Sequence, residues 1–164
     1  MLIQTIQKMK STSITFEEAL IDMVRFYGED TSRRACANGD RFYMHSDGRK
    51  CAIGRLIRSE HEAFFRNFDD AGLCGSIEAV VHEYQRLRLI DGRGISEEQA
   101  VQELTIVRDA TLIDMNFLQI IHDEDSNWDE NGLSQFGIET IGNFRIELLD
   151  SIVSMNQKEE FLHQ

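Results

Sequence analysis

Ahead of three apolar-periodic stretches in this chain a hydroxyl residue stands three positions before a Glu or Gln: Thr15 and Glu18 in TFEE, Ser59 and Glu62 in SEHE, Ser96 and Gln99 in SEEQ. A helix leaves its first backbone N–H groups without carbonyl partners. The hydroxyl takes one of them while the carboxylate or amide reaches back to the N–H of the cap. Each signature therefore marks a helix start, and a chain with several is dominated by helices. Behind Thr15, the residues Phe16, Ala19, Leu20, Met23, Val24 and Tyr27 recur at three and four, with Gly28 as the expected stop. Behind Ser59, Ala63, Phe64, Phe65 and Phe68 predict a short helix ending near Gly72, and Ser76 opens another on Ile77, Val80, Val81 and Tyr84. The long stretch after Ser96 reads as two helices broken near Val107 to Ala110. A final helix is expected from about Leu133 into Val153, with Phe136, Ile141, Phe144, Ile146, Leu148 and Leu149 as candidate core. With no proline among 164 residues, these helices must end on glycine and capping residues.

One segment departs from the helical pattern. Residues 41–57, RFYMHSDGRKCAIGRLI, alternate in polarity around Asp47-Gly48, a dipeptide suited to a tight hairpin turn. With those two residues as the loop, His45 faces Lys50 and Met44 faces Cys51. Phe42, Met44, Cys51 and Ile53 then share an apolar face, and Tyr43, Ala52, His45 and Lys50 share the other. Cys51 is thus expected in the core, where a free cysteine behaves as a small hydrophobe. RLRLI at Arg86–Ile90 can either extend the preceding helix or form a short strand beside the hairpin, and the strand reading is preferred. The expected fold is a single α+β domain over residues 1–164, mainly α-helical. Five or six helices surround one β-hairpin at residues 41–57, with 1–13 and 156–164 as ends prone to fraying.

Charge is divided along the chain. Residues 33–66 carry eight Lys/Arg against four acids, whereas residues 94–164 carry three against fifteen, a balance equal to the net charge of −12. A field of this kind steers partners of opposite sign. Direct nucleic-acid binding is disfavoured at this net charge, although the basic segment keeps it open. No apolar run approaches the roughly 20 residues needed to span a bilayer, and the N-terminal stretch lacks the pattern of a signal peptide, so a cytoplasmic protein without a membrane partner is expected. Cys36, Cys51 and Cys74 contain no CxxC pair and fit reduced thiols.

Candidate chemistry is sparse. A structural zinc site needs three or four converging thiolates or imidazoles, usually in close pairs; Cys36, Cys51, Cys74, His45, His61, His82 and His122 show none, so no metal and no cofactor is expected. DEDSNWDENGLS offers alternating oxygens, but counted from Asp123 its sixth position is Trp128 and its twelfth Ser134, where a calcium loop needs Gly and Glu. A Cys51 nucleophile would need a histidine within reach, such as His45, His61 or His122; the hairpin register puts His45 on the wrong face. Leu118 and His122 share one face of the expected helix, which reads as a histidine half-buried beneath a leucine. No glycine-rich phosphate loop, GxSxG or HExxH is present.

CAIGRLI (Cys51–Ile57), LQIIHD (Leu118–Asp123) and NWDENGLSQFG (Asn127–Gly137) occur in this order. In that combination the chain resembles a family of bacterial and phage proteins with no established activity, over about Ala19 to Phe144. The resemblance implies a shared fold and carriage by phages or mobile elements, and it groups Cys51, Gly54, Arg55, Gln119, His122, Asp123 and Trp128 in one structural or binding constellation. It transfers no catalytic role.

These readings yield three functional expectations. In the first, a non-enzymatic acidic interaction protein of phage type, acting in the host cytosol, uses Asp123, Asp125, Asp129 and Glu130 to occupy the basic surface of a host protein. Such a nucleic-acid mimic would inhibit a nucleic-acid-binding or defence protein. In the second, Arg33, Arg34, Lys50, Arg55 and Arg58 receive a phosphorylated small molecule beside His122 and Trp128, because guanidinium forks suit phosphate and an aromatic can stack on a base. The third is a Cys/His hydrolase.

Overall fold

The computed structural model describes residues 13–37, 40–41, 43–70 and 76–162. The chain folds into a mainly helical α+β structure. Its α-helices are α1 (Phe16–Glu29), α2 (Ala52–Leu56), α3 (Glu62–Asp70), α4 (Ile77–Ile90), α5 (Glu97–Leu104), α6 (Leu112–Asp123), α7 (Gln135–Phe144) and α8 (Ile146–Leu162). Two antiparallel pairs, β1 (Cys36–Ala37) with β2 (Asp40–Arg41) and β3 (Trp128–Asp129) with β4 (Gly132–Leu133), are each two residues long.

Local chemistry explains most helix starts. The Thr15 hydroxyl accepts from Glu18 N–H and Ser96 forms a reciprocal box with Gln99. A further box, Thr111 with Asp114, opens α6 after the expected break. Ser59 is different: it begins a short 3₁₀ turn, Ser59–His61, ahead of α3. Gly28 does not stop α1, which runs one residue further to Glu29. RLRLI continues α4 as helix, correcting the preferred strand reading; Leu89 and Ile90 there point into solvent. The expected final helix is two. Arg145 adopts extended backbone between α7 and α8, and Phe136 and Ile146, expected in the core, are exposed, whereas Ile141 and Leu148 are buried.

The segment at 41–57 needs the largest correction. Its turn forms, with Gly48 at φ +91°, but Met44 rather than His45 pairs with Lys50, so the ladder is one bridge long and shifted by one residue. His45 N–H donates to the Arg49 carbonyl and Cys51 N–H to the Tyr43 carbonyl. From Ala52 the second arm winds into α2 because the Cys51 thiol accepts from Gly54 N–H at 3.3 Å and acts as its cap. Met44, Cys51 and Ile53 do reach the core, yet so do Tyr43 and Ala52, which a strand would have placed opposite them. Phe42 lies outside the described residues.

Three short segments tie the helices together. Ile14 pairs with Val107, and Ile57 with Thr105, so that 14, 57 and 105–107 form a buried ribbon under α1, α2 and α5. Asp69, in the last turn of α3, accepts from both Tyr43 N–H (3.0 Å) and Met44 N–H (2.9 Å) and fixes the turn against that helix. Tyr27, Leu20, Leu118, Ile121 and Ile53, all fully buried, form the centre where α1, α2 and α6 meet. Fully burying the aliphatic side chains among them stabilises by about 1.5–3 kcal/mol each.

Candidate functional site

The three motif segments converge. Gly54 carries no Cβ because α2 sits directly on the Tyr43 carbonyl: a methyl there would lie 2.9 Å from the Tyr43 carbonyl carbon and nearer its oxygen. Gln119 of α6 engages the Tyr43 hydroxyl and accepts from Ile77 N–H. His122, fully buried, meets the Tyr27 ring edge-on at 4.7 Å, and Trp128 meets the same ring at 6.2 Å. Tyr27 in turn donates to the Lys50 carbonyl. Cys51, Gly54, Gln119, His122, Asp123 and Trp128 thus surround Tyr27 and Tyr43, and Arg55 lies on the far side of Tyr27, 5.9 Å from its ring.

This interior is densely packed, with its polar groups mostly turned on one another. His122 Nδ1 and Asp123 Oδ1 are 2.7 Å apart, and the Trp128 indole and the Asn127 amide both donate to the Ile121 carbonyl. Arg34 closes the C-terminus of α6. It donates to the carbonyls of His122 and Asp123, pairs with Asp125 at 2.9 Å and lies 5.8 Å from the Trp128 ring centroid. Burial holds the Cys51 thiol far above its ordinary pKa, so at 2 % exposure it is a protonated cap. Burial likewise raises Tyr43.

On the outer side of Tyr27 the chain forms a cleft of about 370 Å³ lined by Phe26, Arg33, Asp47, Gly48, Arg49, Lys50 and Arg55. Asp22 and Phe26, one turn apart on α1, hold Arg55: its Nη2 pairs with Asp22 at 2.8 Å and its guanidinium carbon stands 3.4 Å above the Phe26 ring. The Arg55 side chain is only 8 % exposed, and its buried Nε has no acceptor among the described residues. A desolvated cation over an aromatic face contributes about 2 kcal/mol. Arg33 approaches Phe26 to 4.7 Å and binds its carbonyl and Glu29. From the turn, Arg49 pairs with Asp47 at 2.8 Å and reaches the Arg34 carbonyl, while Lys50 pairs with Glu62 at 3.3 Å. The backbone N–H of Arg49 holds the Asp47 carboxyl below its usual range.

The fold therefore gathers Arg33, Lys50 and Arg55 and separates the other candidates from them. Arg34, His122 and Trp128 belong to the interior clasp, and Arg58 lies elsewhere, donating to the Gln102 carbonyl. Sequence reasoning missed Phe26 and left Arg49 out of the phosphate-binding candidates. The available signal was an aromatic on α1 outside the apolar stripe. Of the acidic candidates, Asp123 is not a surface group: it is 8 % exposed and faces His122. Asp125, Asp129 and Glu130 are exposed around the β3–β4 turn. Gly132 there, at φ +112°, touches the Gly28 backbone, where a Cβ would lie 3.1 Å from Gly28 Cα. Among the described residues no three His, Cys, Asp or Glu converge as metal ligands, and no helix is long and apolar enough to cross a membrane. No protein-family model matches the chain, and neither a curated protein nor a solved structure does.

Proposed function

We propose that the protein is a non-enzymatic module that captures a small phosphate-bearing ligand in the Phe26–Arg55 cleft. One observation carries this reading: Arg33, Arg49, Lys50 and Arg55, from three separate segments, converge on one concave wall. Small-ligand sites are concave, with a few convergent polar groups on an apolar floor, and guanidinium forks match phosphate oxygens. Each cation already has a carboxylate partner, but those of Arg33 and Arg49 lie in partly exposed ion pairs, and exposed pairs contribute only about 0–1 kcal/mol, so a multiply charged ligand can displace them.

Isothermal titration at low salt with a set of phosphorylated metabolites tests the reading. Binding that weakens about tenfold or more in an Arg33→Gln/Arg49→Gln variant supports it. The absence of binding by every compound removes it.

A second reading keeps the acidic face. Asp125, Asp129 and Glu130 would occupy the basic surface of a host protein, favoured by the exposure of Asp129 and Glu130 on a turn that the Gly28–Gly132 contact fixes to α1. Reversing Asp129 and Glu130 to Lys abolishes capture of such a partner and leaves ligand binding intact; the reverse pattern removes this reading.

A further inference from the structure

We infer that the group bound in the cleft is the terminal dianion of a phosphomonoester, recognised without its organic part being stacked. This rests on the ligand-binding reading above and narrows it to a chemical class.

The aromatic surface is already used. Arg55 stands over Phe26 at ring-stacking distance, Arg33 is 4.7 Å from its centroid, and Tyr27 meets it edge-on at 5.0 Å. The other aromatic expected to stack on a base, Trp128, is buried against Tyr27 with its indole N–H donated to Ile121. No described residue lining the cleft offers a free ring to a nucleobase.

The charges select for a dianion. Asp22, Glu29, Asp47 and Glu62 partner the four cations, so the wall is close to neutral when empty. A singly charged oxyanion exchanges one carboxylate contact for another of equal kind and gains little. A phosphomonoester carries about −1.5 to −2 charges at neutral pH and three acceptor oxygens on one atom. It can replace Asp47 on the Arg49 guanidinium and Glu29 on Arg33 together, leaving Asp47 with His45 and the Arg49 backbone N–H. Arg55 adds a donor already in place: a guanidinium nine-tenths buried, whose Nε lacks an acceptor among the described residues. A buried donor left in that state carries a penalty of about 1–3 kcal/mol, which an anion drawing the guanidinium toward the cleft would relieve.

The test is isothermal titration of the full chain at neutral pH and low salt with glycerol 3-phosphate, AMP and cyclic AMP. The first two share a monoester dianion and differ in the base; the last two share the base and differ in charge. Glycerol 3-phosphate and AMP are expected to bind within about threefold of each other, and both about tenfold or more tighter than cyclic AMP. The Arg33→Gln/Arg49→Gln variant, whose substitutions lie on partly exposed side chains and leave the Arg55–Asp22 pair intact, weakens both monoesters about tenfold while keeping its circular dichroism spectrum. Cyclic AMP binding as tightly as AMP, or AMP binding more than about tenfold tighter than glycerol 3-phosphate, overturns the class and leaves an anion cleft standing. If none of the three binds, both the class and the ligand-binding reading fail.

Discussion

Replacing Gly54 with alanine separates packing from helix propensity, because the two act in opposite directions at this position. In an isolated helix the change would stabilise by about 1 kcal/mol, since alanine loses less backbone entropy than glycine. Here the new Cβ would lie 2.9 Å from the Tyr43 carbonyl carbon and 3.3 Å from Lys50 Cβ, against an ordinary carbon–carbon contact of about 3.5–4.0 Å. The obstructing atom is backbone that cannot swing aside: the Tyr43 carbonyl is held by Cys51 N–H, and the Tyr43 amide by Asp69. Relief requires α2 to lift from the turn. That motion stretches the Cys51–Tyr43 hydrogen bond, worth about 1 kcal/mol, and loosens Ile53 and Ile57 from the core at the overpacking cost of about 1–3 kcal/mol. With the propensity gain deducted, Gly54→Ala is expected to lose about 1–3 kcal/mol, read by urea denaturation as a lower midpoint at unchanged slope. Gly94→Ala is the control, since its Cβ would meet nothing within 4 Å; it should stay within about 0.5 kcal/mol of the parent. If Gly54→Ala were as stable as the parent, α2 could not be seated on the Tyr43 carbonyl and the cleft above it would be misplaced.

Cys51 in the folded protein should resist iodoacetamide, mapped by mass spectrometry, and react once urea unfolds the chain; Cys51→Ala, which removes the cap on Gly54 N–H, should cost about 1 kcal/mol. Asp114 both closes the Thr111 capping box and pairs with Arg145, so Asp114→Ala should lower stability by about 2 kcal/mol, while Asp150→Ala, at an exposed position of α8, changes it little. His61 has its pKa lowered by burial against the Tyr84 ring. The unfolded chain therefore takes up the proton more readily, and the folded state loses stability as pH falls through the unfolded value of about 6.5. His61→Phe should flatten the decline of the thermal midpoint as pH falls below about 6.5; an unchanged slope would refute the assignment.

The features legible in the sequence were local ones. Thr15 and Ser96 announce their helices because cap, first turn and apolar stripe all lie within a few residues. Asp47-Gly48 announces a turn for the same reason. The arm beyond that turn could not be read locally, because the winding of α2 depends on a thiol acting as cap and on a missing Cβ opposite a carbonyl eleven residues upstream. RLRLI alternates as a strand would, yet Leu89 and Ile90 are exposed apolar residues on a helix, and nothing in their spacing announces it. At Ser59 the signature was present and the geometry was not, since a 3₁₀ turn took the place of the first helical turn.

The charge map shows why the site was harder to see than the fold. Counting along the chain gives a basic segment and an acidic half, but pairing is set in space. Arg55 meets Asp22, thirty-three residues away, and Arg34 meets Asp125, ninety-one residues away. Most of the excess positive charge of residues 33–66 is thereby cancelled by carboxylates from outside that segment, Asp22 and Glu29 of α1 and Asp125 after α6. The surviving field near the cleft is weak, so net charge along the chain is a poor guide to where the cations gather. Geometry does that work: Asp22 and Phe26 lie one turn apart on α1, and α2 carries Arg55 over both. Arg33 and Arg49 then stand at the rim, each in a partly exposed ion pair.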